Sequence, residues 1–211
     1  MTAAVIFDCD GVLVDTEAIA NRVLADLLTE AGLPTTFEDS MRDLRGRSMA
    51  SIVEIATTRL GSPLPADLPE RYYAEVKDVF RRELQPVPGV VAALDRIDLP
   101  SCVASSGPHH KMAVTLRSAG LWERFEGRIF SASEVPRGKP APDLFLHAAQ
   151  RMSFEPATTA VVEDSVFGVE AARAAGMRAL AFARHTDAGV LAAAGGEPFH
   201  DMADLPGLLA A

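Results

Sequence analysis

Two aspartates, Asp8 and Asp10, follow the apolar run Val5-Ile6-Phe7, with Cys9 between them and Gly11 behind. Carboxylates this close repel each other unless a positive group joins them. Three other stretches carry matching chemistry: Ser105, Ser106 and Gly107 in "SSGPHHK", Lys139 in "RGKPAPD", and Glu163 and Asp164 in "VVEDS". Brought together, the two acidic pairs call for a hard divalent cation. Mg²⁺ takes a few carboxylates together with waters and phosphate oxygens. The remaining groups suit an anion opposite that cation. Backbone N–H groups at a proline-led helix start, with the Ser105 hydroxyl, can hold a phosphate, and Lys139 adds a point charge. A carboxylate beside a phosphoryl group can form an aspartyl-phosphate, which makes Asp8 the candidate nucleophile. Asp10 then protonates the leaving oxygen and later takes a proton from the attacking water.

Such a constellation needs a scaffold that gathers residues more than 150 positions apart in the chain. Short apolar runs recur at Ala4–Phe7, Cys102–Ser105, Arg128–Phe130, Ala160–Val162 and Arg178–Phe182. They are too short for helices, and several are continuously apolar, as strands covered on both faces are. Helical patterns alternate with them at Val90–Ile97, Lys111–Ala119, Pro142–Met152 and Val166–Ala175, with Gly and Pro at their ends. This alternation predicts an α/β fold, a doubly wound parallel sheet with helices on both faces. In open sheets of that kind ligands bind beyond the carboxyl ends of the strands, where the residues above fall.

The first interval breaks the rhythm. Helical patterns cover Glu17–Ala31, Ser48–Leu60 and Leu68–Leu84, with no strand among them. The spacing predicts a helical insertion over residues 16–85, with a catalytic core made of residues 1–15 and 86–211. Gln85-Pro-Val-Pro-Gly89 reads as the return hinge. The Ala-rich stretches 188–196 and 203–211 read as terminal helices.

A chain of 211 residues can bury a sizeable core. Its net charge of −9 argues against general binding to nucleic acid or anionic membrane, which needs clustered Lys and Arg; a small anionic substrate needs only a local positive site. Cys9 and Cys102 form no metal-binding spacing and read as buried thiols of a reducing compartment. There is neither a signal-like N-terminus nor an apolar run long enough to span a bilayer, so a cytoplasmic protein is expected, monomeric or weakly dimeric.

The stretches "FDCDGVLVDTE", "VASSG", "GKPAPDLF" and "VVEDSVFGVEAARAAGM" resemble, in order and over the whole chain, the four motifs of the haloacid dehalogenase-like superfamily, in its β-phosphoglucomutase-like phosphatase branch. The resemblance implies a Rossmann-like core with a helical cap inserted after the first strand. It implies Asp8 as nucleophile, Asp10 as general acid/base, and Ser105 and Lys139 as phosphate contacts. It also implies Mg²⁺ held by Asp8, the Asp10 backbone carbonyl, Asp164 and Glu163, with Ser165 steadying the acidic pair. The branch also contains mutases, which carry a histidine shortly after the first motif and a phosphate-binding arginine in a cap loop. Ala20 and Met49 stand at those positions here. Its dehalogenases and phosphonate hydrolases lack an aspartate at the position of Asp10.

The implied activity is hydrolysis of a small phosphorylated metabolite, a sugar phosphate or phosphosugar acid. A phosphosugar mutase is the alternative among enzymes. A phospho-acceptor switch without turnover is the alternative of another class. Arg45 and Arg47, in the loop "LRGRS", are candidate substrate contacts or solvated loop arginines. Ser106 and His109 are candidate substrate contacts beside the expected phosphate, or plain turn and helix-start residues. His147, His185 and His200 read as structural.

Overall fold

The computed structural model describes all residues except Gly46 and Ser48. The chain divides into two compact units, Met1–Asp15 with Gln85–Ala211, and Thr16–Leu84. No helix among the described residues is long and apolar enough to cross a membrane.

The first unit is built on six parallel strands: β1 (Ala4–Phe7), β2 (Ser101–Ser105), β3 (Ile129–Ser131), β4 (Thr159–Glu163), β5 (Arg178–Phe182) and β6 (Glu197–Phe199), in the spatial order β3-β2-β1-β4-β5-β6. The helices α5 (Val90–Leu94), α6 (His109–Ser118), α7 (Trp122–Phe125), α8 (Asp143–Met152), α9 (Val166–Ala174), α10 (Ala188–Ala193) and α11 (Leu205–Ala210) belong to the same unit. This is the doubly wound α/β sheet that the alternating apolar runs predict.

All four residues of β1 are buried, because β2 and β4 flank the strand and helices cover its faces. Ile6, Cys102, Ala104 and Val161 share one cluster with Leu144 and Phe145 of α8 and Val169 of α9. Phe7 meets Phe125 edge to face at 6.0 Å between ring centres. Full burial of each large side chain is worth about 1.5–3 kcal/mol.

The register sets up the site. Phe7 pairs with Val162 of β4 and with Val103 of β2. The next residue continues the ladder, since the Asp8 amide donates to Val162 O at 2.9 Å. Asp8 therefore leaves the sheet beside Glu163, at the switch point where the strand order reverses.

β6 is an element the sequence pattern misses. It is three residues long, contains Pro198 and is largely exposed. Proline donates nothing to a ladder and is tolerated on an edge strand such as this one. The preceding helix ends at Ala193, ahead of Gly195 at φ +94°. The helix expected over 90–97 closes at Leu94, while α6 starts two residues earlier than its periodicity suggests.

The second unit holds α1 (Thr16–Glu30), α2 (Phe37–Asp43), α3 (Met49–Leu60) and α4 (Leu68–Glu83). Its own core joins Leu24, Leu28, Leu44, Ile52, Ala56 and Leu68. The short α2 was not distinguished by periodicity. Its start is fixed by a capping box, in which Thr36 accepts from the Asp39 amide and Asp39 accepts from the Thr36 amide. Ser48, where the helical pattern over 48–60 begins, lies outside the described residues, as does Gly46 of the arginine loop.

Candidate active site

Past β1 the chain turns at once. Leu13 N donates to Cys9 O at 3.0 Å, and Gly11 N donates to Val14 O at 2.9 Å. Cys9 is fully buried, with Sγ 3.9 Å from Thr115 Oγ1 of α6. Burial pushes its thiol well above the ordinary range, and Asp10 and Asp8 add to the shift, so Cys9 is a packing residue and not a nucleophile. Cys102 is likewise buried, its thiol pushed up to about 12 by burial.

Lys139 is the hub. Its side chain is 5% exposed, and its Nζ donates to Asp8 Oδ1 at 2.5 Å, Glu163 Oε1 at 2.7 Å and Ala104 O at 3.3 Å. An ammonium carries three donors, and here they meet acceptors from β2 and from the carboxyl ends of β1 and β4. The ammonium also lies 4.8 Å from the centre of the Phe145 ring. Burial alone would lower the pKa of this lysine, but Asp8 and Glu163 outweigh burial and raise it above the ordinary lysine range. Burial has the opposite outcome at Asp8. It lifts the carboxyl above the ordinary carboxylate range, with Glu163 and Asp10 adding to the rise and Lys139 only partly offsetting it.

Glu163 is 1% exposed and fully committed. Besides Lys139 on Oε1, its Oε2 accepts from the Asp164 amide at 2.8 Å, the Ser165 amide at 2.8 Å and Ser165 Oγ at 2.9 Å. Ser165 also caps α9, accepting from the Gly168 amide at 3.0 Å. Two glycines make room for this acidic pair. A Cβ at Gly168 would overlap the Glu163 carboxylate, and one at Gly11 would overlap the Asp164 carboxylate. Gly11 also sits at φ +80°, a backbone conformation that favours glycine.

Ser105, at the end of β2, is 2% exposed, and its Oγ accepts from the Gly107 amide at 3.3 Å. Asp10 receives an ammonium of its own, because Lys111 Nζ of α6 donates to Asp10 Oδ2 at 2.7 Å. Lys111 stands inside the quoted stretch "SSGPHHK" yet escaped the sequence reading, since nothing in the spacing pairs residues 101 positions apart.

The remaining candidates lie further out. Ser106 is exposed. The His109 ring is bonded to Glu134 Oε1 at 2.8 Å, and His147 holds the other oxygen of Glu134 at 3.2 Å. His200 bonds to Ala183 O at 3.1 Å. Arg45 and Arg47 belong to the helical unit, where Arg47 Nε donates to Asp43 O at 2.7 Å.

The donor set fits a hard divalent cation. Lys139 pairs with Asp8 and Glu163 and Lys111 with Asp10, while the Asp164 carboxylate lies against Gly11 of the acidic turn. The upward shift of Asp8 comes first from burial, with the Glu163 and Asp10 charges adding to it. Among the described residues no three His, Cys, Asp or Glu side chains form a ready-made cage. Mg²⁺ does not need one, because it binds through one or two carboxylates and takes waters and substrate phosphate for the rest.

The switch point of the parallel sheet thus carries an Asp-x-Asp turn, a buried lysine and an acidic pair. Residues 2–176 match the family model of haloacid dehalogenase-like hydrolases, and the chain belongs to that family. It is 34% identical to the 6-phosphogluconate phosphatase of Escherichia coli (strain K12) over 180 residues, 85% of this chain and 81% of that one. Among solved structures it is similar to a conserved haloacid dehalogenase-like protein of unknown function from Agrobacterium tumefaciens str. C58. That likeness has a TM-score of 0.90 and 38% identity, and covers 100% of this chain and 98% of the other. A family hydrolase from Deinococcus radiodurans R1, solved with bound phosphate and sodium, matches at TM-score 0.85 and 30% identity over 99% and 95% of the two chains.

Proposed function

We propose that this enzyme is a Mg²⁺-dependent phosphatase that hydrolyses a small phosphorylated sugar or sugar acid through an aspartyl-phosphate on Asp8. The observation that carries the mechanism is the Lys139 ammonium, 2.5 Å from Asp8 and 2.7 Å from Glu163 at the mouths of adjacent strands. It aims one Asp8 oxygen and leaves the carboxylate anchored for attack. The substrate class rests on the likeness to the 6-phosphogluconate phosphatase.

In the first step an Asp8 oxygen forms a bond to phosphorus as the bond to the ester oxygen breaks. Asp10 gives its proton to that oxygen, which departs as an alcohol. In the second step water attacks the phosphorus and returns a proton to Asp10, the Asp8–phosphorus bond breaks, and inorganic phosphate leaves. The Ser105 hydroxyl and the Ser106 backbone amide are the candidate holders of the phosphoryl oxygens, with the Lys139 ammonium as the adjacent positive charge. Asp8, the Asp10 carbonyl and Asp164 would hold Mg²⁺, which supplies positive charge against the phosphate and the nucleophile. Glu163 spends both oxygens on Lys139 and on the 164–165 backbone, so we assign it to holding Lys139 and not to the metal. Residues 16–84 serve as the cap in this reading, with Arg45 and Arg47 as candidate readers of the substrate's far end.

The test is release of inorganic phosphate from a panel of sugar phosphates, phosphosugar acids and an aryl phosphate, with and without EDTA. Sustained turnover that EDTA stops and added Mg²⁺ restores is expected. Interconversion of sugar phosphates without phosphate release would favour a mutase, and a stable acyl-phosphate without turnover would favour a phospho-acceptor.

A further inference from the structure

The two aspartates at the mouth of β1 are two residues apart, yet each is held by a different ammonium. Lys139 takes Asp8, and Lys111 takes Asp10 at 2.7 Å. The stem of Lys111 packs beside the phosphate turn: a Cβ at Gly107 would lie 3.4 Å from Lys111 Cδ, 3.7 Å from Ser105 Oγ and 3.9 Å from Asp10 Oδ2, all ordinary contact distances. Its head reaches across to the acidic turn. A carboxylate held by one oxygen loses most of its freedom to rotate, and proton transfer to a leaving group depends on that orientation.

We propose that Lys111 is a positioning residue for Asp10. It fixes the orientation of the Asp10 carboxylate through its bond to Oδ2, so that the proton Asp10 carries reaches the ester oxygen as the phosphorus–oxygen bond breaks. The inference rests on Asp10 acting as the general acid of the proposed phosphatase.

The experiment compares kcat/KM for an alkyl phosphate, whose leaving group needs a proton, with that for 2,4-dinitrophenyl phosphate, whose leaving group does not. This ratio reports the first step alone. Lys111→Met keeps an unbranched stem over Gly107 and removes the donor; Lys111→Arg retains a donor. Lys111→Met is expected to lose about 10–100-fold on the alkyl ester and under about 3-fold on the dinitrophenyl ester. Lys111→Arg is expected to recover part of the loss. In an Asp10→Asn background, Lys111→Met should add nothing further on the alkyl ester. Equal losses on both esters would mean that Lys111 binds the phosphate or only supports the fold, and would overturn the proposal. Full additivity with Asp10→Asn would overturn it as well. If Asp10→Asn itself fails to discriminate between the two esters, the acid role of Asp10 falls and this inference falls with it. If Asp10→Asn discriminates and Lys111→Met does not, only the inference falls.

Discussion

Replacing Lys139 by methionine tests the electrostatic centre of the site. The substitution keeps the length of the side chain and its contact with Phe145, and removes the ammonium that bonds Asp8, Glu163 and Ala104 O. Both carboxylates are at least nine-tenths buried at the side chain, so water cannot take the place of the lost partner. Removing one member of such a buried pair costs about 3–5 kcal/mol. For a domain of this size each kcal/mol is worth about 2–4 °C in Tm. A fall of roughly 6–20 °C is therefore expected in EDTA, measured by calorimetry or circular dichroism at pH 7.5. The pH dependence has a definite sign. Burial already lifts the Asp8 carboxyl, and without Lys139 nothing holds it down, so its folded-state pKa rises further above the unfolded value. A group raised in this way favours the folded state below its unfolded pKa and loses that contribution as pH rises through the folded value. The Tm deficit of Lys139→Met should thus shrink as pH is lowered from 7.5 towards 5. Activity should be lost throughout. A variant within about 2 °C of the parent protein at pH 7.5, with a deficit independent of pH, would refute the buried ion-pair centre.

Gly11→Ala is expected to raise the Mg²⁺ concentration needed for half-maximal phosphate release by about 10-fold or more, because the new methyl group overlaps the Asp164 carboxylate and strains the φ of +80°; an unchanged Mg²⁺ titration would remove Asp164 from the ligand set. Asp15 is held below the ordinary carboxylate range by His185 and Arg184, with Arg184 Nη2 2.8 Å from its Oδ2 and His185 Nε2 3.8 Å from its Oδ1. A carboxyl lowered in this way stabilises the fold above its unfolded pKa and loses that contribution as pH falls. Asp15→Asn should therefore be about 1–2 kcal/mol less stable at pH 7 by urea denaturation, with the gap closing below pH ~4. Alanine at both Arg45 and Arg47 should raise KM for the preferred sugar phosphate more than for an aryl phosphate; equal effects would argue against their reading the substrate.

Much of the fold is legible because burial on both faces leaves a strong mark. Val5-Ile6-Phe7 and Val161-Val162 are continuously apolar, and each run is a central strand covered on two sides. β6 leaves no such mark, since an exposed edge strand with a proline needs neither apolar residues nor a full set of N–H donors. Likewise α2 owes its start to the Thr36–Asp39 exchange of hydrogen bonds more than to a long apolar stripe.

The site divides along similar lines. Asp8, Asp10, Lys139 and the 163–164 pair can be recognised in the chain because each follows an element whose type and direction the residue pattern dictates, and open parallel sheets bind ligands at one end only. Residue types and order were therefore enough to nominate the chemistry. Partnership is another matter. That Lys139 holds Asp8 and Glu163 together, that Lys111 holds Asp10, and that Gly11 and Gly168 yield their Cβ space to carboxylates are decided by distances of a few ångströms between residues up to 153 positions apart. Charge pairing and close packing depend on separation in space, and only the register of β1 against β2 and β4 brings those separations into range.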